Sequence, residues 1–142
     1  MMRLRDEGLP LPAAAVVLSP WTDLTLTGQS LTEYGSPDPM VPVELMPQAV
    51  HLYLAGAEPR SPYASPLYGD PAGLPPTLIL VGSDEALRDD AVRMAERLRA
   101  VDRDVELEVW PRMFHVWPMF ARILPEGRAA IARTGAFLRA EL

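Results

Sequence analysis

Three short apolar runs, each followed by a different kind of segment, constrain the fold of this chain most. Residues 13–18, 77–81 and 105–110 are rich in valine, leucine or isoleucine, which predicts buried strands. Apolar residues at helical spacing predict amphipathic helices over 89–101 and 126–139, directly after the second and third runs. Strands that alternate with helices predict an α/β fold: a parallel sheet with helices packed on its faces.

The stretch between the first and second runs has less regular patterning. Residues 20–41 carry proline, glycine, serine and threonine at high density, which predicts a loop. Residues 43–54 have the apolar spacing of an amphipathic helix, and the proline-rich residues 56–76 predict a long irregular crossing. At 142 residues, with no visible linker, the sequence predicts a single domain over residues 1–142.

The first eight residues predict the last turns of a helix closed by Gly8 at its C-terminal cap. A domain that begins on the tail of a helix is expected to lack what precedes that tail. We therefore interpret the chain as part of a longer domain.

Composition and charge exclude several classes of function. The formal net charge of −6 argues against nucleic acid or an anionic membrane as the main partner. The absence of cysteine excludes a disulfide or a thiol nucleophile, and two isolated histidines make a metal site unexpected. No apolar stretch approaches the roughly 20 residues of a membrane span, and no signal peptide is visible, so we expect a cytoplasmic protein.

An acid and a histidine follow the second and third predicted strands. Asp84 lies in the turn after residues 77–81, and His115 comes shortly after residues 105–110. Catalytic groups collect at the carboxyl ends of the strands of an open α/β sheet. His115 is the one plausible general base, and Asp84 is the preferred acid. Asp89 and Asp90 suit a helix start instead, and Glu85 is expected to point elsewhere in a tight turn.

The residue that would complete this constellation is missing from the sequence. An acid followed by a histidine is the chain order of the last two members of a Ser-Asp-His triad in α/β-hydrolases. No Gly-x-Ser-x-Gly motif occurs in the sequence. Ser19, Ser65 and Ser83 lack the flanking glycines, so none of them is taken as a nucleophile.

Four stretches carry a resemblance to a known family: Ser19-Pro20-Trp21-Thr22-Asp23-Leu24, residues 61–67 (SPYASPL), residues 82–90 (GSDEALRDD) and residues 110–117 (WPRMFHVW). In these stretches the chain resembles the bacterial hormone-sensitive lipase family of α/β-hydrolases, over the C-terminal half of such a domain. The resemblance implies a serine-type carboxylic ester hydrolase that acts on small esters of short to medium acyl chains without a cofactor. It implies that Asp84 and His115 are the triad acid and base, and that residues 28–56 belong to a cap.

The sequence also departs from that family. The family's nucleophile elbow and its His-Gly-Gly oxyanion loop are both absent from the sequence. Arg112 stands where the family often has glycine, and residues 101–104 replace a glycine-containing turn. Bulky residues at such places cost backbone strain if φ must be positive.

Substrate contacts are expected from apolar residues near the predicted acid and base. Leu87, Val116 and Trp117 are the candidates for an acyl pocket, although an apolar cluster after a strand more often belongs to the core. The other polar residues are predicted to be structural: Asp23 as a turn acid, His51 as a surface or half-buried residue, and Arg93, Arg97 and Arg99 as a solvated helix face.

Two functions from different classes remain open. In the first, the chain is an esterase or lipase fragment that carries the acid and base and has little activity alone. In the second, it is a non-catalytic half-domain that binds a partner or an acyl ligand. The strand over residues 13–18 would lack a neighbour on one side, so we expect self-association into a homo-oligomer through this exposed sheet edge.

Overall fold

The central feature of the structure is a parallel sheet of three strands. A computed structural model describes residues 1–33 and 38–141. Strands β1 (Ala15–Leu18), β2 (Thr77–Gly82) and β3 (Val105–Trp110) lie side by side in the order β1-β2-β3, and both neighbouring pairs are parallel. This arrangement confirms the predicted α/β fold, with β1 beginning two residues later than its apolar run.

Helices cover both faces of this sheet. The helix over the first residues is confirmed, and Gly8 follows it with a φ of 69°, a left-handed conformation that glycine adopts without strain. The helices are α1 (Met2–Asp6), α2 (Ser30–Glu33), α3 (Met46–Leu54), α4 (Arg88–Arg99) and α5 (Pro125–Glu141), with 3₁₀ turns at Val43–Leu45, Pro66–Tyr68 and Trp117–Phe120. None of these helices is long and apolar enough to cross a membrane.

Strand β2 is buried along its whole length because it lies between two strands and two layers of helix. Its side chains alternate between the faces of the sheet, as the pleat requires. Ile79 and Val81 pack against α4, through residues that include Met94 and Leu98. On the opposite face, Leu78 and Leu80 pack in a second cluster together with Trp117, Ala130 and Phe137.

The connection from β1 to β2 is long and mostly irregular, as its prolines predict. Between residues 56 and 76 the regular structure is the 3₁₀ turn Pro66–Tyr68. The predicted cap segment, residues 28–56, contains α2 and α3, and its residues 34–37 lie outside the described part of the chain. Helix α3 carries large exposed apolar side chains, among them Leu52 and Tyr53, so one of its faces is unpacked in this chain.

Candidate active site

The segments that follow the three strands meet at one edge of the sheet, because all three strands run in the same direction. Ser19 follows β1, and its backbone N–H donates to the carbonyl of Leu80 in β2 at 2.8 Å. Gly82 ends β2 opposite Trp110, the last residue of β3. The turns after β2 and β3 therefore begin at the same height, which brings residues 83–85 close to residues 111–116.

Backbone hydrogen bonds join the turn after β2 to the loop after β3. Ser83 N–H donates to Trp110 O at 2.8 Å, and Asp84 N–H donates to Met113 O at 3.1 Å. Arg112 N–H donates in return to Ser83 Oγ at 2.7 Å. These bonds hold the two segments in one arrangement and fix the place from which His115 projects.

Gly82 permits this close approach. A Cβ at position 82 would lie 2.0 Å from Met113 O and 3.1 Å from Glu85 Oε2. Any larger residue would separate the two segments or displace the Glu85 carboxylate. The glycine is therefore required by the space between the turn and the loop.

The carboxylate beside His115 belongs to Glu85. Its Oε1 lies 3.4 Å from His115 Nδ1, and its side chain is fully buried, whereas the His115 side chain keeps about 20% of its surface exposed. The other carboxylate oxygen, Oε2, accepts the N–H of Gly82 at 2.8 Å and the hydroxyl of Ser19 at 2.8 Å. A buried carboxylate held by two donors and facing a partly exposed imidazole suits a pair in which the acid orients the base.

Asp84, the acid preferred from the sequence, lies on the outer side of the same turn. Its side chain is exposed, and its Oδ1 accepts the hydroxyl of Ser83 at 2.5 Å. The expectation that Glu85 points away from His115 is wrong, because the chain turns inward immediately after Asp84. Glu85, Ala86 and Leu87 are all buried, so the outer position of this turn falls on Asp84.

One sequence signal could have distinguished the two acids. Glu85 is followed by the apolar residues Ala86 and Leu87, whereas Asp84 is preceded by Ser83. A carboxylate that opens an apolar stretch enters the interior, and buried carboxylates need partners. That partner is supplied by a loop distant in sequence, which the local pattern does not reveal.

The three predicted pocket residues lie in different environments. Leu87 is 3% exposed and directly precedes α4, and Trp117 is fully buried in the cluster beneath the site. Val116 is half-buried and adopts a left-handed backbone conformation, with φ of 47°. The structure therefore leaves accessible surface next to His115 at Val116, whereas Leu87 and Trp117 are buried.

A buried ionic network lies behind this edge and fixes the loop that follows β1. Asp90 Oδ2 accepts the N–H groups of Thr22 and Asp23 at 2.8 Å each. Arg93 bridges the two acids, at 2.7 Å from Asp90 Oδ1 and 3.2 Å from Asp23 Oδ2. The prediction of a solvated face is therefore wrong for Arg93, which anchors the loop to α4.

Contacts around the Asp23 carboxylate shift its pKa. Burial raises the pKa of Asp23, but hydrogen bonds from the hydroxyl and N–H groups of Thr25 and Thr27 outweigh burial and hold that pKa well below its ordinary value. The role of Asp23 as a turn acid, predicted from the sequence, agrees with these contacts.

An apolar cavity of about 360 Å³ lies away from the Glu85–His115 pair. It opens between α1, the loop after β1 and the sheet face under α4, and Met2, Trp21, Tyr63, Ile79 and Leu98 contribute to its lining. Among the described residues, no group of three or more histidine, aspartate or glutamate side chains is arranged to hold a metal ion.

Comparison with known proteins identifies relatives over almost the whole chain. A family model described as the alpha/beta hydrolase fold matches residues 1–119. An acetyl-hydrolase of Streptomyces hygroscopicus is 48% identical over 139 residues, which are 98% of this chain and 46% of that protein. An esterase of Acinetobacter venetianus is 34% identical over 137 residues, 96% of this chain and 45% of that protein.

The solved structures that this chain resembles include proteins of the same kind. The crystal structure of an esterase from the bacterial hormone-sensitive lipase family superposes with a TM-score of 0.94 at 52% identity, and covers 98% of this chain and 47% of the other. The chain therefore spans about half the length of the proteins it matches. This coverage is consistent with the C-terminal half of such an esterase.

Proposed function

We propose that this chain, which belongs to the α/β-hydrolase fold family, supplies the general base and its orienting acid to a serine-type carboxylic ester hydrolase. The observation that carries the proposal is the contact between His115 Nδ1 and the buried Glu85 Oε1 at 3.4 Å. The names of the esterase and acetyl-hydrolase relatives support the reaction class. The substrate class we propose is a small carboxylic ester.

In this mechanism Glu85 orients the imidazole and His115 transfers the protons. Glu85 accepts a hydrogen bond from Nδ1–H of His115, which leaves Nε2 unprotonated and free to take a proton from an attacking hydroxyl. A serine hydroxyl attacks the ester carbonyl and becomes acylated, and His115 gives the proton it took from that hydroxyl to the departing alcohol. Water then attacks the acyl-enzyme with His115 again as base, and His115 returns this proton to the serine oxygen as the carboxylic acid leaves. In this proposal the hydroxyl comes from another segment, since the sequence contains no Gly-x-Ser-x-Gly motif.

We assign the acid role to Glu85 in place of Asp84. Glu85 is fully buried and within reach of His115, whereas Asp84 is exposed and bonded to Ser83. A triad acid must hold the imidazole in one tautomer, which requires direct contact with Nδ1.

Val116 is our candidate for substrate contact, since it retains accessible surface beside the base. Leu87 and Trp117 are buried, so we propose that they support the acyl pocket from behind. Residues 28–56 as part of a cap and a cytoplasmic location both stay predictions.

A chimeric protein tests the proposal. The upstream segment of the Streptomyces hygroscopicus acetyl-hydrolase, which this chain's match leaves uncovered, is fused in front of residue 1, and hydrolysis of p-nitrophenyl butyrate is measured. We expect the chimera to hydrolyse the ester and the chain alone to show little or no activity. His115→Ala should abolish hydrolysis, and Glu85→Gln should lower kcat by roughly 10³- to 10⁴-fold.

Asp84→Asn is the matched control, because it changes the neighbouring carboxylate in the same turn. We expect its kcat to equal that of the parent chimera. Loss of activity in Asp84→Asn with full activity in Glu85→Gln would return the acid role to Asp84. Full activity in His115→Ala would refute the proposal, and circular dichroism of every variant checks that the fold is retained.

The alternative function is a non-catalytic half-domain that binds a partner or an acyl ligand. The apolar cavity beside α1 favours this alternative, because the cavity lies away from His115 and an apolar ligand would bind there without the acid–base pair. Sequencing the DNA upstream of residue 1 separates the two functions. An open frame that encodes His-Gly-Gly and Gly-x-Ser-x-Gly supports the esterase, and a stop codon close before residue 1 supports the half-domain.

A further inference from the structure

Ser19 lies between the acid and the loop that carries the base. It follows β1 directly and is only 3% exposed. Its φ is 47°, a left-handed conformation that disfavours every residue with a Cβ. A buried serine held in such a conformation indicates that the surrounding contacts determine its place.

The Ser19 hydroxyl takes part in two hydrogen bonds, one as the donor and one as the acceptor. It donates to Glu85 Oε2 at 2.8 Å and accepts the backbone N–H of Val116 at 3.0 Å. Val116 directly follows His115, so one oxygen atom connects the acid to the backbone of the base. No elbow glycines flank Ser19 in the sequence, so it was not predicted to be a catalytic residue.

The contacts of Glu85 show what this connection does. Ser19 Oγ and Gly82 N both occupy Oε2, which leaves Oε1 to face His115. Without the serine hydroxyl, the carboxylate would be held at Oε2 by a single donor and could rotate about its last bond. The Val116 N–H would also lose its hydrogen-bond partner, which loosens the loop that holds His115.

We propose that Ser19 is a positioning residue that sets the geometry of the Glu85–His115 pair by binding both partners at once. The proposal rests on the proposed function, since it matters for catalysis only if that pair is the acid and base. Ser19 is not the nucleophile in this arrangement, because its proton is donated to the carboxylate and its hydroxyl is buried beneath the site.

The test uses nitrogen NMR of the imidazole rings in the 142-residue chain. The sequence holds two histidines, and His51 is exposed, so it serves as an internal reference for an unrestrained ring. In a neutral imidazole, the ¹⁵N shifts report which nitrogen carries the proton. We expect His115 to be fixed in the Nδ1–H tautomer, and Ser19→Ala to shift it toward the tautomer mixture of His51.

Ser65→Ala is the matched control for loss of a buried serine. Ser65 is fully buried, accepts the N–H of Leu24 at 2.9 Å and donates to Pro59 O at 2.6 Å, away from the site. We expect it to lose stability without changing the His115 tautomer. Ser19→Gly is the second variant, because glycine accepts the φ of 47° and folds without the backbone strain while still lacking the hydroxyl.

Each outcome decides one question. A His115 tautomer that changes in Ser19→Ala and Ser19→Gly, but not in Ser65→Ala, supports the positioning role. A tautomer unchanged in both Ser19 variants, while Glu85→Gln alters it, overturns the role of Ser19 and leaves the acid–base pair intact. A tautomer unchanged in Glu85→Gln overturns the pair itself.

Kinetics in the chimera provide a second readout. We expect both Ser19 variants to lower kcat by about 10- to 100-fold, the loss expected from one hydrogen bond to a charged group, with KM unchanged. A rise in KM at constant kcat would place Ser19 in substrate binding and contradict the proposal.

Discussion

Three residues without glycine's freedom adopt left-handed backbone around the candidate site. Ser19, Arg112 and Val116 have φ values of 47°, 59° and 47°. The left-handed conformation costs each of these residues free energy, so the surrounding contacts must hold the backbone in it. All three lie in the segments that follow β1 and β3, where the chain must turn sharply to bring His115 over Glu85. Strain at these positions is a consequence of how closely the segments pack.

Substitution of Arg112 measures this backbone strain directly. Its side chain is exposed and its N–H, which glycine retains, donates to Ser83 Oγ. We expect Arg112→Gly to raise the free energy of unfolding by about 0.5–1 kcal/mol, the left-handed penalty less the larger chain entropy of glycine. Urea denaturation measures it. Arg112→Ala keeps the penalty and should leave stability unchanged, so equal gains in both variants would show that φ is not the cause.

At the scale of elements, the packing of α5 depends on one of its two glycines. A Cβ on Gly127 would lie 2.9 Å from Ala121 N and 3.0 Å from Ala121 Cα, in the segment after the 3₁₀ turn Trp117–Phe120. A Cβ on Gly135 would meet only the flexible end of Arg139, at 3.3 Å. The first glycine therefore allows the helix to approach the segment that follows His115, and the second serves no packing purpose.

The two glycines predict opposite effects of the same substitution. Gly127→Ala should destabilise the protein by about 1–3 kcal/mol through overpacking. Gly135→Ala should stabilise it by about 0.5–1 kcal/mol, because alanine loses less entropy in a helix. Thermal denaturation compares the variants, and a shift of both melting temperatures in one direction would contradict the assigned packing.

The loop after β1 is joined to α4 through a carboxylate that is charged in the folded protein. Hydrogen bonds lower the pKa of Asp23 below its unfolded value, so its contribution to stability is present above about pH 4. That contribution is lost as the pH falls from the unfolded pKa toward the folded one. We expect Asp23→Asn to cost about 2 kcal/mol at neutral pH.

The pH dependence of the stability difference between wild type and Asp23→Asn tests this prediction. Urea unfolding of both proteins should show the gap between wild type and Asp23→Asn narrowing below about pH 4. Asp102→Asn, in an exposed turn, is the control and should show a small gap at every pH. A gap for Asp23→Asn that stays constant down to acid pH would mean that the carboxylate charge is not what stabilises the loop.

At the scale of the whole molecule, β1 borders the sheet on one side. The N–H groups of Ala15 and Ser19 donate to Pro76 O and Leu80 O on the β2 side. Because the pleat alternates, the N–H groups of Val16 and Leu18 point away from β2. Among the described residues no strand pairs with β1 on this side, so the edge offers unpaired donors and acceptors.

We predict that the 142-residue chain self-associates through this edge. Light scattering should show a mass that rises with concentration. Val16→Pro removes an outward N–H and should reduce association, whereas Val17→Pro removes an N–H that faces β2 and should mainly lower stability. A wild-type chain that stays monomeric and melts cooperatively would contradict the prediction.

The sequence by itself determined the elements and their order. Apolar runs located β2 and β3 to within a residue, helical spacing located α4 and α5, and proline density identified the irregular crossing. These features are local, since they depend on the period of the side chains and on residues that cannot continue a helix or strand. The same patterns predicted that His115 lies at the carboxyl-terminal edge of the sheet.

The tertiary structure decided which carboxylate faces His115. Asp84 and Glu85 are neighbours in one turn, and from the sequence we expected Asp84 to be the acid. Their directions depend on the loop after β3, whose Met113 carbonyl packs against Gly82, and on Ser19, which approaches from β1 and holds the Glu85 carboxylate. Contacts between segments so distant in sequence exist only once the sheet has formed, because only the sheet brings its three strand ends to one edge.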